Sequence, residues 1–184
     1  VVRLCDALGI TKPIVLGQSF GGFVAQRYLA RHPAHPGKVI LSSTTHHMGL
    51  ARKLAMFEKL GGLEARTVAE AFWTQPNAQT WADYNRVCKR YYNTTPQDEA
   101  AGERTLFNTD ILFASAGGEQ RTMNLLPGLA RAQCPVLVMA GDADPVTPIE
   151  DAQDIVAALP PQWVQFERFA NVGHGAWRDD AEVA

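Results

Sequence analysis

The chain has 184 residues, of which 46% are hydrophobic and 20% charged, proportions typical of a globular domain rather than of a disordered, collagen-like or coiled-coil chain. Its 17 basic and 19 acidic residues give a net charge of −2 without any block of like charge, so neither a nucleic-acid groove nor a basic membrane patch is expected. No apolar run reaches the roughly 18 to 20 residues of a membrane-spanning helix. The three scattered cysteines, Cys5, Cys88 and Cys134, predict reduced and mostly buried thiols, as in a cytoplasmic enzyme.

Residues 1–45 predict the order helix, strand, helix, strand. Apolar residues at helical spacing run from Val1 to Leu8, and Gly9 follows as a stop signal. Short continuous apolar runs at 13–17 and 38–43 are typical of strands buried on both faces of a parallel sheet. A helical stripe between these runs, at 21–31, completes an α/β layer pattern.

Residues 46–132 have a different pattern and predict an all-helical insertion. The segment contains glycine and proline breaks, including Gly61-Gly62, and no clear strand. Its aromatic residues have two interpretations: they line an apolar acyl or prolyl pocket, or they form the core of the insertion, which we expect for most of them. They include Trp73, Trp81, Tyr84, Tyr91 and Tyr92.

Residues 133–184 return to the α/β pattern. An apolar run at 135–140 predicts a buried strand, and a helix is expected at 148–159 with Thr147 as its N-cap and Pro148 at its first position. An alternating strand at 163–169 then leads into a loop around His174. The sequence therefore predicts a mostly parallel α/β sheet flanked by helices, in two core parts (1–45 and 133–184) separated by a helical cap (46–132).

The strongest chemical signal is the G-x-S-x-G pattern centred on Ser19, between a predicted strand and a predicted helix. A serine in such a tight turn exposes its hydroxyl at the carboxyl end of the sheet, as a nucleophile requires. The backbone N–H of Phe20, at the start of the helix, is a candidate oxyanion donor. The alternative is a glycine-rich helix entry with an incidental serine.

A serine nucleophile needs a base that a third group orients. His174 is the candidate base, because its loop follows a predicted strand; the alternative is a solvent-exposed loop histidine. His46 and His47 are weaker candidates, since adjacent side chains are not expected to face one site together.

Two acids, Asp142 and Asp144, follow the strand at 135–140, and either could orient His174. Their segment is also rich in turn-forming residues, so an ordinary turn is the alternative. The pattern of residues alone does not separate the two acids.

The order Ser, Asp, His and the surrounding motifs resemble the α/β-hydrolase fold family. Residues 17–22 are similar to its nucleophile elbow, 141–148 to its acid loop and 172–175 to its histidine loop. The resemblance implies that Asp144, the second acid of its loop, is the catalytic one, and that the insertion is the family's helical cap. The serine nucleophile distinguishes the chain from the epoxide hydrolase and haloalkane dehalogenase branches.

The cap resembles that of proline-iminopeptidase-type hydrolases at residues 90–96 and 107–110. This implies a cap carboxylate that holds the substrate amine. Asp110 is the nearest equivalent, Glu103 and Glu119 are further candidates, and a solvated acid is the alternative for each. The expected activity is acyl-enzyme hydrolysis that releases an N-terminal proline or a similar residue from small peptides or amides, without metal or organic cofactor.

Two other functions stay open. One is hydrolysis of carboxylic esters, lactones or C–C bonds by the same residues, and the other is binding of a small ligand by a catalytically silent homologue. The expected partner is a small molecule or short peptide, with no nucleic acid or membrane.

The chain begins with Val1 rather than Met and contains no HGGG-like loop ahead of Ser19. In the family, such a loop supplies a second oxyanion N–H. The resemblance therefore implies an N-terminally truncated fragment, which is expected to be less active and less stable than the whole protein.

Overall fold

The structure, a computed structural model, describes residues 1–96, 105–106 and 108–179. Its sheet has four parallel strands in the spatial order β1-β2-β3-β4. The strands are β1 (Ile14–Gln18), β2 (Lys38–Ser42), β3 (Val136–Gly141) and β4 (Val164–Phe169). The predicted α/β class and parallel sheet are confirmed.

The helices account for most of the remaining described structure. They are α1 (Val2–Ala7), α2 (Phe20–Arg31), α3 (Leu50–Thr74), α4 (Ala78–Val87), α5 (Thr109–Gly117), α6 (Leu126–Leu129), α7 (Ile149–Ala158) and α8 (Ala176–Asp179), with 3₁₀ turns at Lys89–Tyr91 and Glu119–Arg121. None of the helices in the described ranges is long and apolar enough to cross a bilayer.

The main hydrophobic core lies between the sheet and the helices α2 and α7. Leu29 from α2 and Ile155 from α7 are fully buried, as are Val39, Leu41 and Val138 from the two central strands. Because all strands are parallel, their carboxyl ends meet at one edge of the sheet. The loops that follow β1, β3 and β4 carry Ser19, Asp144 and His174, so this edge positions the candidate site.

The segment between β2 and β3 consists of helices joined by turns and loops, without a strand in its described residues, and it has its own core. Phe57, Phe72 and Tyr84 are buried there, in contact with Val146 of the acid loop. Helix α3 is interrupted at Gly62, which has φ 71° and ψ −168°, a conformation that glycine adopts without a steric penalty. The break lies at the predicted glycine pair.

The N-cap prediction for Thr147 is wrong. Helix α7 begins at Ile149 with Pro148 as its N-cap and has no side-chain cap. The Thr147 hydroxyl instead donates to Asp144 Oδ2 at 2.6 Å. As an N-cap, this hydroxyl would accept from a backbone N–H at the start of α7, but here it is oriented to donate a charge-assisted hydrogen bond to the carboxylate.

Candidate active site

Ser19 occupies the strained turn between β1 and α2. Its backbone has φ 52° and ψ −119°, a conformation that costs a non-glycine residue free energy and is typical of functional turns. Two hydrogen bonds hold it: Ser19 N donates to Ser42 O at 3.0 Å, and the Thr44 hydroxyl donates to Ser19 O at 2.8 Å. Phe20 begins α2, and the first N–H groups of a helix have no partner within the helix.

The close approach of α2 to Thr44 yields a stability prediction. A Cβ added at Gly22 would lie 2.7 Å from Thr44 Cγ2, whereas one added at Gly21 would meet nothing within 4 Å. Gly22→Ala should therefore lower the free energy of unfolding by about 1–3 kcal/mol through overpacking. The matched control Gly21→Ala should be neutral or stabilise the helix by up to about 1 kcal/mol.

Denaturant unfolding of the two variants beside the wild type measures this difference. Equal stability of Gly22→Ala and Gly21→Ala would show that Thr44 does not constrain the turn.

His174 and Asp144 are directly hydrogen-bonded. His174 Nδ1 lies 2.8 Å from Asp144 Oδ2, and both residues are buried. The other oxygen of Asp144 accepts from the backbone N–H groups of Val146 at 2.8 Å and Thr147 at 2.9 Å. These bonds fix the carboxylate, which in turn fixes the imidazole with Nε2 free for chemistry.

The environment of Asp144 favours its ionised form. Burial alone would raise the pKa of this carboxyl, but the charge of His174 and the hydrogen bonds from His174 and Thr147 outweigh burial and lower the pKa below its usual value. An ionised Asp144 is the form that can stabilise a positively charged His174.

Of the two acids left open by the sequence pattern, only Asp144 contacts His174. Asp142 instead pairs with Arg168, whose Nε and a terminal nitrogen lie 2.6 and 2.9 Å from its two oxygens. Asp142 and Asp144 therefore point to different partners after β3, and this difference identifies Asp144 as the acid that orients His174. The spacing of the two acids in the sequence could not make this distinction.

Tyr92 and Asn93, which follow the first 3₁₀ turn, hold the histidine loop in place through hydrogen bonds. His174 N donates to Tyr92 O at 2.6 Å, and Asn93 Nδ2 donates to His174 O at 3.4 Å. The Tyr92 ring also packs edge-on against the imidazole, with centroids 5.6 Å apart. This segment is the one that resembles the cap of proline-iminopeptidase-type hydrolases, and no local pattern in it predicts the contact with His174.

Asp179 forms a second set of hydrogen bonds between the histidine loop and the cap, which the sequence did not predict. Its carboxylate accepts from Gly173 N at 2.6 Å, Thr94 N at 3.0 Å and Thr95 N at 3.1 Å. One side chain thus joins the histidine loop to the cap. No local pattern marks such a residue, because its partners in the cap, Thr94 and Thr95, are distant in sequence.

Ser19, Phe20 and His174 line one cavity of ≈420 Å³. In the described part of the chain, Ser19 Oγ makes no hydrogen bond to His174, although both line this space. Such contacts are often long without substrate. Most other lining side chains are apolar or aromatic: Phe23, Met48, Phe72, Trp73, Trp81, Tyr92, Ile111, Leu112 and Val146. Trp73, Trp81 and Tyr92 therefore pack against the cap core and also line the cavity, whereas Tyr84 lies in the core and not in the cavity wall.

Lys53 is a charged residue of the cavity wall that sequence analysis missed. Its side chain is buried. The ammonium donates to Val146 O and lies 4.5 Å from the centroid of the Trp73 ring. Burial lowers the pKa of Lys53 to about 8, against the opposing effect of the Asp151 and Asp144 carboxylates. Among the described residues that line the cavity, Lys53 is the one lysine or arginine, and none is an aspartate or glutamate.

The candidate amine-binding acids do not line this cavity where the structure describes them. Asp110 is exposed in the first turn of α5, and Glu119 is exposed in the second 3₁₀ turn. Glu103 lies outside the described residues, as does residue 107 of the motif that prompted the peptidase resemblance.

The expectation that His46 and His47 cannot share a site is wrong. Their rings stack with centroids 4.0 Å apart, and both offer a nitrogen to one cluster with Asp151 of α7. The loop after β2 bends here, so that adjacent side chains turn to the same side.

The sequence matches the alpha/beta hydrolase fold family over residues 1–179. The chain belongs to this family, whose fold the parallel sheet and flanking helices reproduce.

Among curated proteins, the chain is 26% identical over 157 residues to 3-oxoadipate enol-lactonase 2 of Acinetobacter baylyi, covering 83% of this chain and 54% of the lactonase. The chain thus spans about half the length of that relative.

Two solved structures are similar in fold. The crystal structure of VinJ has a TM-score of 0.71 at 22% identity and covers 98% of this chain and 66% of VinJ. Proline iminopeptidase of Mycobacterium smegmatis has a TM-score of 0.69 at 21% identity and covers 97% of this chain and 64% of the peptidase.

Proposed function

We propose that the chain is the catalytic part of a serine hydrolase that works through an acyl-enzyme. The observation that carries this proposal is the joining, at one cavity, of a strained Ser19 with a His174 that is hydrogen-bonded to buried Asp144. A nucleophile, a base and a group that orients the base are the three parts that such a mechanism requires.

In the first half of the reaction, Ser19 Oγ attacks the substrate carbonyl carbon while His174 Nε2 takes the hydroxyl proton. The Phe20 N–H stabilises the oxyanion of the tetrahedral intermediate, because it directly follows Ser19 at the start of α2, where the first N–H groups have no partner within the helix. The bond to the leaving group then breaks, and His174 returns the proton to that group. Asp144 stabilises the charged imidazole throughout.

In the second half, water attacks the acyl carbon of the Ser19 ester. His174 takes a proton from this water and delivers it to Ser19 Oγ as the acid product leaves. The reaction consumes one water and needs no electron donor or acceptor.

The cavity favours an ester or lactone substrate that carries an anionic group. Its wall is apolar apart from a few polar groups, and its cation is Lys53. A buried ammonium that already donates to Val146 O keeps further N–H donors for a substrate carboxylate. The likeness to an enol-lactonase agrees with this substrate class.

Release of an N-terminal proline is the second candidate. The resemblance of the cap motifs and the structural likeness to a proline iminopeptidase favour it. It requires an anionic partner for the substrate amine, and neither Asp110 nor Glu119 reaches the cavity. We therefore place ester or lactone hydrolysis first.

Three substrates of similar size test this assignment in the full-length protein. They are the p-nitrophenyl monoester of glutaric acid, the neutral p-nitrophenyl valerate and proline p-nitroanilide. We expect the highest kcat/KM for the anionic ester. Preference for the anilide, lost when its amine is blocked, would establish the aminopeptidase instead.

Lys53→Met should remove the preference for the anionic ester. We expect the ratio of kcat/KM for the anionic over the neutral ester to fall roughly 10- to 100-fold, the value of a hydrogen bond to a charged group. The matched control is Lys59→Met, which removes an exposed lysine from the same helix. A ratio unchanged in Lys53→Met would contradict the role of Lys53 while leaving hydrolysis by Ser19 intact.

A further inference from the structure

A cluster of three side chains with metal-binding chemistry lies beside the active-site cavity. His46 and His47 come from the loop after β2, and Asp151 comes from the first turn of α7. One ligand atom from each lies within 4.8 Å of those of the other two. The loop begins the cap segment and the helix belongs to the core, so the cluster joins the two parts of the chain.

The same three side chains hold buried polar atoms that lack a partner. Within the described residues, His46 Nδ1, His47 Nδ1 and Asp151 Oδ2 make no hydrogen bond. His46 is 7% exposed and Asp151 1% exposed. Nearly all buried polar atoms in proteins have a hydrogen-bond partner, so three buried atoms without one in a single cluster indicate a missing ligand.

The second ring nitrogen of His46 and the second oxygen of Asp151 already have partners. His46 Nε2 lies 3.3 Å from Asp154 Oδ2, and Arg52 lies 2.8 Å from Asp151 Oδ1 and 2.5 Å from Asp154 Oδ2. A carboxylate on the second ring nitrogen is the usual support of a metal-binding histidine. These contacts leave one nitrogen of His46 and one oxygen of Asp151 for an ion.

We propose that His46, His47 and Asp151 form a site for a divalent transition metal ion, with Zn²⁺ the best match. Two imidazoles and one carboxylate suit Zn²⁺, whereas Mg²⁺ and Ca²⁺ prefer all-oxygen sites. Zn²⁺ needs bonds of about 2.0–2.2 Å, so side-chain rotation draws the three atoms together, and water completes the tetrahedron.

The two cavities beside the cluster provide an entry path for the ion and determine what its binding would affect. A cavity of ≈640 Å³ lined by His46, His47, Arg52 and Asp154 opens beside the cluster. His47 also lines the cavity of Ser19. A bound ion would therefore fix one wall of the active-site cavity and tie the start of the cap to α7, a stabilising rather than a catalytic role.

Metal binding is tested on the full-length protein after treatment with a chelator. We expect one Zn²⁺ per chain after dialysis, by elemental analysis, and a Tm that rises with the logarithm of free Zn²⁺. Co²⁺ should give the intense visible absorption of a tetrahedral site, and Mg²⁺ should have no effect.

Variants locate the ion. Asp151→Asn and His47→Asn should each abolish stoichiometric binding, and Asp154→Asn should weaken it about 10- to 100-fold through loss of support to His46. His32→Gln, which removes an exposed histidine at the end of α2, should bind as the wild type does. Circular dichroism confirms that each variant is folded. Substoichiometric Zn²⁺ in the wild type, or equal affinity in folded His47→Asn, would overturn the proposal.

Discussion

Replacing Ser19 with alanine is expected to lower kcat for ester hydrolysis by at least about 10⁴-fold, because the variant has no nucleophile. His174→Ala should cause a loss of the same order, since the Ser19 hydroxyl is weakly nucleophilic without its base. Members of such a unit act together, so the double variant should be no slower than either single variant. Steady-state kinetics with p-nitrophenyl valerate measures all three.

The matched control is Ser115→Ala. Ser115 lines the same cavity and its hydroxyl accepts from Gln120 Nε2 at 3.0 Å, but the mechanism gives it no role. Its replacement should change kcat only a few-fold. If Ser19→Ala and Ser115→Ala were equally active, Ser19 would not be the nucleophile, and binding of a small ligand without catalysis would become the better description.

Asp144→Asn is expected to lower kcat by about 10⁴-fold while the protein stays folded. An asparagine keeps an oxygen for the N–H groups of Val146 and Thr147 but turns an N–H toward His174 Nδ1. This favours the wrong imidazole tautomer, which cannot take the proton of Ser19. Asp142→Asn is the matched control, because Asp142 pairs with Arg168 and not with His174.

The same substitution should change how stability depends on pH. The pKa of Asp144 is lowered in the folded protein, so its ionised form stabilises the fold at pH values above its unfolded pKa of about 3.9. That stabilisation is lost as the pH falls through the lower folded pKa. Asp144→Asn should therefore cost about 1.5–3 kcal/mol of unfolding free energy at neutral pH, and the cost should shrink on acidification.

Urea unfolding at pH 7 and at several lower pH values measures this trend. A difference between wild type and Asp144→Asn that is constant across the range would show that ionisation of Asp144 does not contribute to stability.

Local patterns were sufficient to predict the sheet. The strands around Leu16, Ile40 and Val138 are continuous apolar runs, which are typical of strands in a parallel sheet. The expectation that the strand at 13–17 is buried on both faces is wrong, because β1 lies at the edge of the sheet and Leu16 is 58% exposed. Ser19 and His174 were predictable because each follows a strand in a glycine-containing turn. Since parallel strands end at the same edge, consecutive βα loops carry their side chains to one place.

The features that the sequence did not reveal depend on contacts between distant segments. Nothing in the sequence around Lys53 distinguishes it from an exposed lysine on a helix. It is buried against Val146 because α3 packs over the acid loop. The sequence around Asp179 likewise contains no functional motif, and its role follows only from its hydrogen bonds to Gly173 of the histidine loop and to Thr94. The pairing of His47 with Asp151 requires the cap segment to return to α7, which no local pattern specifies.

Covalent labelling with a fluorophosphonate tests the central claim most directly, because such a probe reacts far faster with an activated serine than with an ordinary one. We predict a single adduct on the full-length protein, located at Ser19 by peptide mapping. Labelling should be absent in Ser19→Ala and strongly slowed in His174→Ala. Labelling of Ser19→Ala at the wild-type rate, or an adduct at another residue, would contradict the assignment of Ser19 as a nucleophile activated by His174.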